Sequence, residues 1–367
     1  MPDILYLVNS ISSTSIPIEI GNAINQHTDS NVTIGAFFES AGMTLDPDIQ
    51  KMDLPTEFFG GSGNFDLKAY RRLWSHLNNH DYDIIHTHHN FTGAVGRIIG
   101  KLRDTPVINT EHNDLAHFSL PQRMVNAATF GFPKVNVYNS HCTQSSLGPV
   151  ERWLSSRGEV IYNGIDIDRV AASHDYPLPV ELPEGILVTN VGVMTEQKNQ
   201  TAILKAAKKI KGEPEAESVH FLIAGSGPLE DKLRKKAVRL GVNDIVTFTG
   251  YLPRREHIYS LFHQSDIFLV PSVYEGFCVA AVEAMACKLP VIASDIEVLH
   301  EVIGDDGIYV PNRDVQRLAE KIVQTIPEID TESMGKRRDA LHHRAVTRFP
   351  LKRTAVAYHE LYLDACN

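Results

Sequence analysis

The chain has 367 residues, 43% hydrophobic and 22% charged, with a formal net charge of −10. That length exceeds what one ordinary core organises and predicts two domains, while the acidic balance argues against a nucleic-acid binder working through a basic surface. The cysteines, Cys142, Cys278, Cys287 and Cys366, lie too far apart for a zinc site or a disulfide framework, which predicts a reducing, cytoplasmic setting. The first residues carry no basic region or long apolar run of a signal peptide. No apolar stretch approaches the ~20 residues of a membrane span, and no strongly basic amphipathic helix marks a membrane surface. Any membrane contact is therefore expected to be peripheral, at the inner face.

In chain order, Ile4–Asn9 reads as a first buried strand, followed by the hydroxyl-rich turn Ser10-Ile11-Ser12-Ser13-Thr14-Ser15. The first βα loop of an open α/β sheet lies where ligands bind, so Ser13 and Thr14 are candidate contacts, although a plain connecting loop fits equally. Val32–Phe38 reads as a second strand. Phe65–His80 reads as a helix whose Leu67, Tyr70, Leu73, Trp74 and Leu77 form one face. Asp83-Ile84-Ile85-His86-Thr87-His88-His89 reads as a strand ending in histidines. Neighbours on a strand face opposite ways, so these three do not converge on one metal. His86 reads as structural, and His88 stands open between a structural and a binding role. Pro106–Asp114 repeats the pattern and delivers His112, a residue able to donate a hydrogen bond or manage a proton near neutral pH. Strands at Val135–Ser140 and Val160–Asn163 follow, and then Asn163-Gly164-Ile165-Asp166, a turn. The proline-rich stretch 173–185 reads as a stiff linker.

The second half opens with a strand at Ile186–Val191 and the loop Gly192-Val193-Met194-Thr195-Glu196-Gln197-Lys198-Asn199. Val219–Gly225 leads to Gly225-Ser226-Gly227-Pro228, which fails as a dinucleotide fingerprint because the third glycine is missing. Ile245–Gly250 leads to Tyr251-Leu252-Pro253. Ile267–Val270 is a buried strand that runs into Pro271-Ser272-Val273-Tyr274-Glu275-Gly276-Phe277-Cys278 and a helix carrying Glu283. Helix N-termini offer unpaired N–H groups to an anion such as a diphosphate. Two carboxylates beside it suit another task, accepting hydrogen bonds from sugar or ribose hydroxyls. Strands at Leu289–Ser294 and Gly307–Pro311 follow, and a final helix at roughly Lys352–Asp364. Strands alternating with helices in both halves predict two doubly wound parallel sheets.

The Glu275/Glu283 spacing with its Pro-Ser-x-x-Glu-Gly-Phe context resembles the E-x7-E signature of retaining, two-domain (GT-B) glycosyltransferases of family 4. The loop at 192–199, Gly225-Ser226-Gly227-Pro228, Asn163-Gly164-Ile165-Asp166, His86-Thr87-His88 and His112 are similar to further segments of that family. The resemblance implies an α/β GT-B fold of two Rossmann-like domains facing a cleft. Its layout would be an acceptor-side domain (1–172), a linker (173–185), a donor domain (186–348) and a C-terminal helix (349–367) crossing back. It implies a metal-independent enzyme without cofactor, moving a sugar with retention from a nucleotide diphosphate sugar, UDP-sugar favoured, to a glycan, glycolipid or lipid-linked acceptor. It assigns Gly192, Lys198, Leu252, Glu275, Gly276, Phe277, Cys278 and Glu283 to the donor, with Glu283 on ribose, Glu275 on the sugar and Lys198 on phosphate. His112 would act at the reacting centre with Glu275 and Lys198, and Ser13, Thr14 and His88 on the acceptor side. Two positions depart from the family: the first loop lacks its Gly-Gly pair, and Val193 replaces an arginine, leaving Arg254 and Arg255 as candidate substitutes. A catalytically silent nucleotide-sugar binding protein and a GT-B-fold 2-epimerase use the same architecture and stand as alternatives; the broken glycine fingerprint disfavours a dehydrogenase.

Overall fold

A computed structural model describes residues 1–12, 15–39, 49, 52, 54–88, 90–113, 115–155 and 157–366. Ser13, Thr14, His89 and Asp114 lie outside the described residues. The chain divides into two compact units, residues 1–164 with 351–367, and residues 165–350.

The first unit holds β1 (Asp3–Val8), β2 (Asn31–Ala36), β3 (Thr56–Phe58), β4 (Ile84–Thr87), β5 (Val107–Glu111), β6 (Val135–Tyr138) and β7 (Gly158–Val160). They pair in parallel in the order β3-β2-β1-β4-β5-β6-β7. The second unit holds β8 (Ile186–Val191), β9 (Val219–Ala224), β10 (Val246–Gly250), β11 (Ile267–Val270), β12 (Val291–Asp295) and β13 (Ile308–Pro311). These are also parallel, in the order β10-β9-β8-β11-β12-β13. Parallel strands need crossovers, and helices cover both faces, which is why Ile4–Val8 of β1 and all of β11 read as apolar runs rather than alternating ones. Two parallel Rossmann-like α/β sheets result.

Some local readings change. The helix at Leu67–Asn79 starts on Asp66, whose carboxylate accepts from the Lys68 and Ala69 amides. Its buried stripe is Ala69, Leu73 and Leu77, while Leu67 and Trp74 are exposed and an Arg103 guanidinium lies 5.4 Å from the Trp74 ring. The core face is therefore narrower than the aromatic pattern suggested. β3 is a three-residue edge strand, too short to announce itself by periodicity. β7 lies earlier than the Val160–Asn163 expectation. The stretch 173–185, read above as a linker, belongs to the second unit, where the Tyr176 hydroxyl meets Arg254 at 3.0 Å and its carbonyl accepts from Ser260 at 2.6 Å.

The last helix, Leu351–Cys366, packs within the first unit against the helix Ile16–His27 and buries Ala355, Tyr358, Leu361, Tyr362 and Ala365. Its two tyrosines close a buried polar chain. The Tyr362 hydroxyl lies 2.6 Å from that of Tyr6 and 2.7 Å from His86 Nδ1. His86 Nε2 meets Thr110 Oγ1 at 2.8 Å, and Thr110 meets the Tyr358 hydroxyl at 3.0 Å. His86 thus has both ring nitrogens engaged with no solvent exposure. Satisfied networks of this kind fix one packing of a core, because any slip strands a buried polar group.

Burial, with the nearby His112, holds the His86 pKa well below its ordinary value. The sign follows: the unfolded chain binds a proton near pH 6.5 that the folded chain refuses, so stability is full above that pH and falls as pH drops below it. Urea denaturation from pH 8 to 5 is expected to show that loss, with a slope of up to ~1.4 kcal/mol per pH unit from this group. His86→Gln, which cannot take the proton, should flatten the profile; an unchanged slope would contradict the assignment.

Candidate active site

In the second sheet β8 has β9 on one side and β11 on the other. Strand order reverses there, and the crevice beyond the carboxyl ends of two such strands is where open α/β sheets take ligands. The loops leaving β8 and β11 carry Lys198 and Glu275, and they are cross-linked. The Val273 amide donates to the Gln197 carbonyl at 2.8 Å, Gln197 Nε2 donates to the Tyr274 carbonyl at 3.2 Å, and Asn199 Nδ2 to that of Pro271 at 3.1 Å. Asn199 and Cys278 both have positive φ, 52° and 72°, a conformation costly for non-glycine residues and often kept at functional turns.

Lys198 Nζ meets Glu275 Oε1 at 2.6 Å, and Ser272 Oγ donates to the same oxygen at 2.7 Å. The Glu275 side chain is buried and that of Lys198 is 21% exposed. Burial is the largest influence on Lys198 and pulls its pKa down. The Glu275 charge and hydrogen bond, with Cys278, outweigh it, so the net shift is upward and the ammonium stays charged. Burial and the Glu275 carboxylate push the Cys278 thiol up to about 12. That thiol is inert at neutral pH.

Gly276, Phe277 and Cys278 lead into the helix Val279–Ala286, whose N-terminal end faces the same sheet edge. Just over one turn into this helix, Glu283 is buried and ion-paired with the buried Arg255. Arg255 is therefore committed to a carboxylate rather than held out for an anion, and Arg254 Nη1 donates to the Tyr176 hydroxyl at 3.0 Å. Both candidate substitutes for the family arginine thus have protein partners, while Val193 itself is exposed. Leu252 is buried. The glycine-proline loop braces the floor: the Met194 amide donates to the Ser226 carbonyl at 2.9 Å and Leu229 to that of Met194 at 3.1 Å. A Cβ on Gly225, whose φ is +125°, would sit 2.3 Å from the Gly192 carbonyl oxygen. The glycine is there for loop contact.

The first sheet has its own reversal, between β1 and β4. His88, just past β4, is buried and its Nδ1 lies 3.1 Å from Nε2 of His112, just past β5, with the rings stacked at 5.4 Å. One imidazole donates and the other accepts, so the pair cannot hold this bond with both rings doubly protonated. The Asn139 amide donates to the His112 carbonyl at 3.0 Å. Among the described residues no group of three or more His, Cys, Asp or Glu is arranged to hold a metal ion.

The paired switch-point sheets are those of the GT-B fold. The chain matches the model of glycosyl transferases group 1 over residues 180–337 and that of glycosyltransferase family 4 over residues 32–169. The two models fall on different halves of the chain and both describe glycosyltransferases, and the chain is a glycosyltransferase. It is 29% identical over 325 residues to D-inositol 3-phosphate glycosyltransferase of Mycolicibacterium smegmatis, covering 81% of this chain and 70% of that protein. It is 25% identical over 350 residues to UDP-Gal:alpha-D-GlcNAc-diphosphoundecaprenol alpha-1,3-galactosyltransferase of Escherichia coli, covering 89% and 87%. The crystal structure of Anabaena HepE in complex with UDP and glucose superposes with a TM-score of 0.81 at 23% identity, over 99% of this chain and 100% of that one.

The sequence reading missed Ser272 as a partner of Glu275, and Arg255 as the partner of Glu283. Ser272 stood in the quoted motif, three residues before the carboxylate. Arg255 lies 28 positions before Glu283, and no local pattern joins them. Removing one member of such a buried pair typically costs ~3–5 kcal/mol. Glu283→Ala should show a loss of that order in chemical denaturation, and the double variant Glu283→Ala/Arg255→Leu should recover most of it. A Glu283→Ala protein within ~1 kcal/mol of the parent would contradict the pairing.

Proposed function

We propose that the protein is a retaining, metal-independent hexosyltransferase that moves a sugar from a nucleotide diphosphate sugar, UDP-sugar favoured, to a glycan, glycolipid or lipid-linked acceptor. The observation that carries this reading is the Lys198–Glu275 pair at the reversal between β8 and β11, beside the N-terminus of the 279–286 helix. Lys198 and the backbone amides of Gly276, Phe277 and Cys278 take the diphosphate; Glu275 accepts from hydroxyls of the transferred sugar and Glu283 from ribose. Arg255 holds the Glu283 carboxylate in place for that task. Gly192 and Leu252 border the donor. Preorganised positive charge at a leaving group is the largest usual contribution to such a reaction, and with Val193 in the family arginine's place Lys198 and the helix end bear it. Two similar proteins support the donor and acceptor classes: one is a UDP-galactose-dependent transferase acting on a diphosphoundecaprenol acceptor, the other has a structure holding UDP and glucose.

The acceptor is assigned to the first unit, with His112 orienting the reacting groups and His88 behind it; Ser13 and Thr14 are proposed contacts there. In the step, the bond from the anomeric carbon to the phosphate oxygen breaks and the acceptor oxygen bonds to that carbon on the same face. The acceptor's proton passes to the departing diphosphate. No covalent nucleophile is required. A cytoplasmic site, at the inner face of the membrane when the acceptor is lipid-linked, fits this chemistry.

NMR of the product formed from an α-linked UDP-hexose is expected to show an α-linkage, with turnover unchanged by chelator. A β-linked product would overturn retention, and free epimerised sugar without an acceptor would move the reading to a 2-epimerase. Nucleotide binding without turnover on any acceptor would favour the silent binding protein.

A further inference from the structure

The helix Leu120–Thr129 is inside out. Its buried side chains are the polar Asn126 and Thr129, while Leu120 is 71% and Met124 66% exposed, with Val125 exposed beside them. Its start is well made, with a capping box between Ser119 and Gln122 and Pro121 in the first turn, so fraying at that end does not explain the exposure. Asn126 is pinned from beneath by Arg97 Nη1 at 2.8 Å, which ties it to the helix Asn90–Arg103. That helix turns Ile98 and Leu102 outward. Past the end of the first helix, Phe132 is exposed, and Gly131 backs onto Leu154, whose neighbour Trp153 is 83% exposed. Soluble proteins rarely leave such a run of large apolar side chains uncovered without a use.

Charge identifies the cover. In a chain with 45 acidic residues and a net charge of −10, residues 84–153 contain only Asp104, Glu111, Asp114 and Glu151 as acids, and neither helix contains one. Glu111 and Glu151 are buried, and Asp104 is exposed. The exposed cations are Lys101, Arg123, Lys134 and Arg152, of which Lys134 is tied to the Ala365 carbonyl at 2.7 Å. Apolar side chains to insert and cations around them are what an anionic lipid surface receives. A second copy docked face to face would set these cations against their own counterparts. No helix of the described residues is long and apolar enough to cross a membrane, so the contact is interfacial.

We infer that this face of the first unit, centred on Leu120, Met124 and Val125 and ringed by Lys101, Arg123 and Arg152, seats the protein on an anionic lipid surface. The inference stands on this surface alone and holds whether or not the donor reading does. The test is co-sedimentation of the full chain with vesicles of phosphatidylglycerol and phosphatidylcholine, against phosphatidylcholine alone. The parent is expected to sediment with the anionic vesicles, to be released by salt, and to bind pure phosphatidylcholine far more weakly. Leu120→Gln/Met124→Gln should weaken binding by about tenfold or more, as loss of inserted apolar surface requires, with an unchanged melting temperature because both side chains are exposed. Arg123→Gln should weaken only the anionic preference. Absence of parent binding to anionic vesicles, or full binding by the double variant, would overturn the inference. A concentration-dependent dimer abolished by the double variant, without vesicle binding, would give the face to a second copy and overturn it equally.

Discussion

Glu275 is a buried carboxylate, and its burial is tolerable only because Lys198 and Ser272 answer it at 2.6 and 2.7 Å. That requirement shapes the second unit's ligand edge. Lys198 has to come from the β8 loop and Glu275 from the β11 loop, so the two neighbouring strands that diverge in topology are held together by charge where they part. The backbone bonds from Gln197, Asn199 and Val273 fix the same distance. On the proposed reading, an anion entering here would meet an ammonium whose charge Glu275 maintains, beside the start of the 279–286 helix. Preorganisation of that kind costs nothing at the moment of reaction.

The first unit repeats the topology with different chemistry. Its reversal between β1 and β4 is floored by aromatic rings and histidines instead of an ion pair, and His86 is locked from four directions by Tyr6, Tyr362, Thr110 and Tyr358. His88 and His112 lie above that floor and share one hydrogen bond. A rigid layer beneath a pair of titratable rings is a means of holding them in register. The outer side of the same unit is the inverted helix, so its apolar surface lies both within the core and on its exterior.

Most of the architecture was legible in the sequence because parallel strands buried on both faces leave short apolar runs, and βα turns leave glycines and polar residues at their ends. Lys198, Glu275 and Glu283 were readable as a set since the loops that carry them have recognisable neighbours. What the sequence hid was lateral. Arg255 reaches Glu283, and Tyr358 and Tyr362 reach His86, across the fold rather than along the chain, and periodicity carries no information about such pairings. Trp74 and Leu67 misled because they are large and apolar at helical spacing, yet the narrower Ala69–Leu73–Leu77 stripe faces the core. The 120–129 helix was invisible for the converse reason: its composition is unremarked until burial shows that the polar residues point inward.

The central claim is that the Lys198 ammonium at this reversal receives a nucleotide's diphosphate. The most direct measurement is a thermal-shift panel of UDP, GDP and ADP and their sugars, on the parent and on Lys198→Met, each against its own ligand-free melting. At ~100 times its dissociation constant a ligand adds ~2.7 kcal/mol of stability. The account predicts that one nucleotide class, with UDP favoured, shifts the parent by that order and that Lys198→Met loses most of the shift. A parent that no nucleotide stabilises, or a Lys198→Met protein that keeps the full shift, would contradict it.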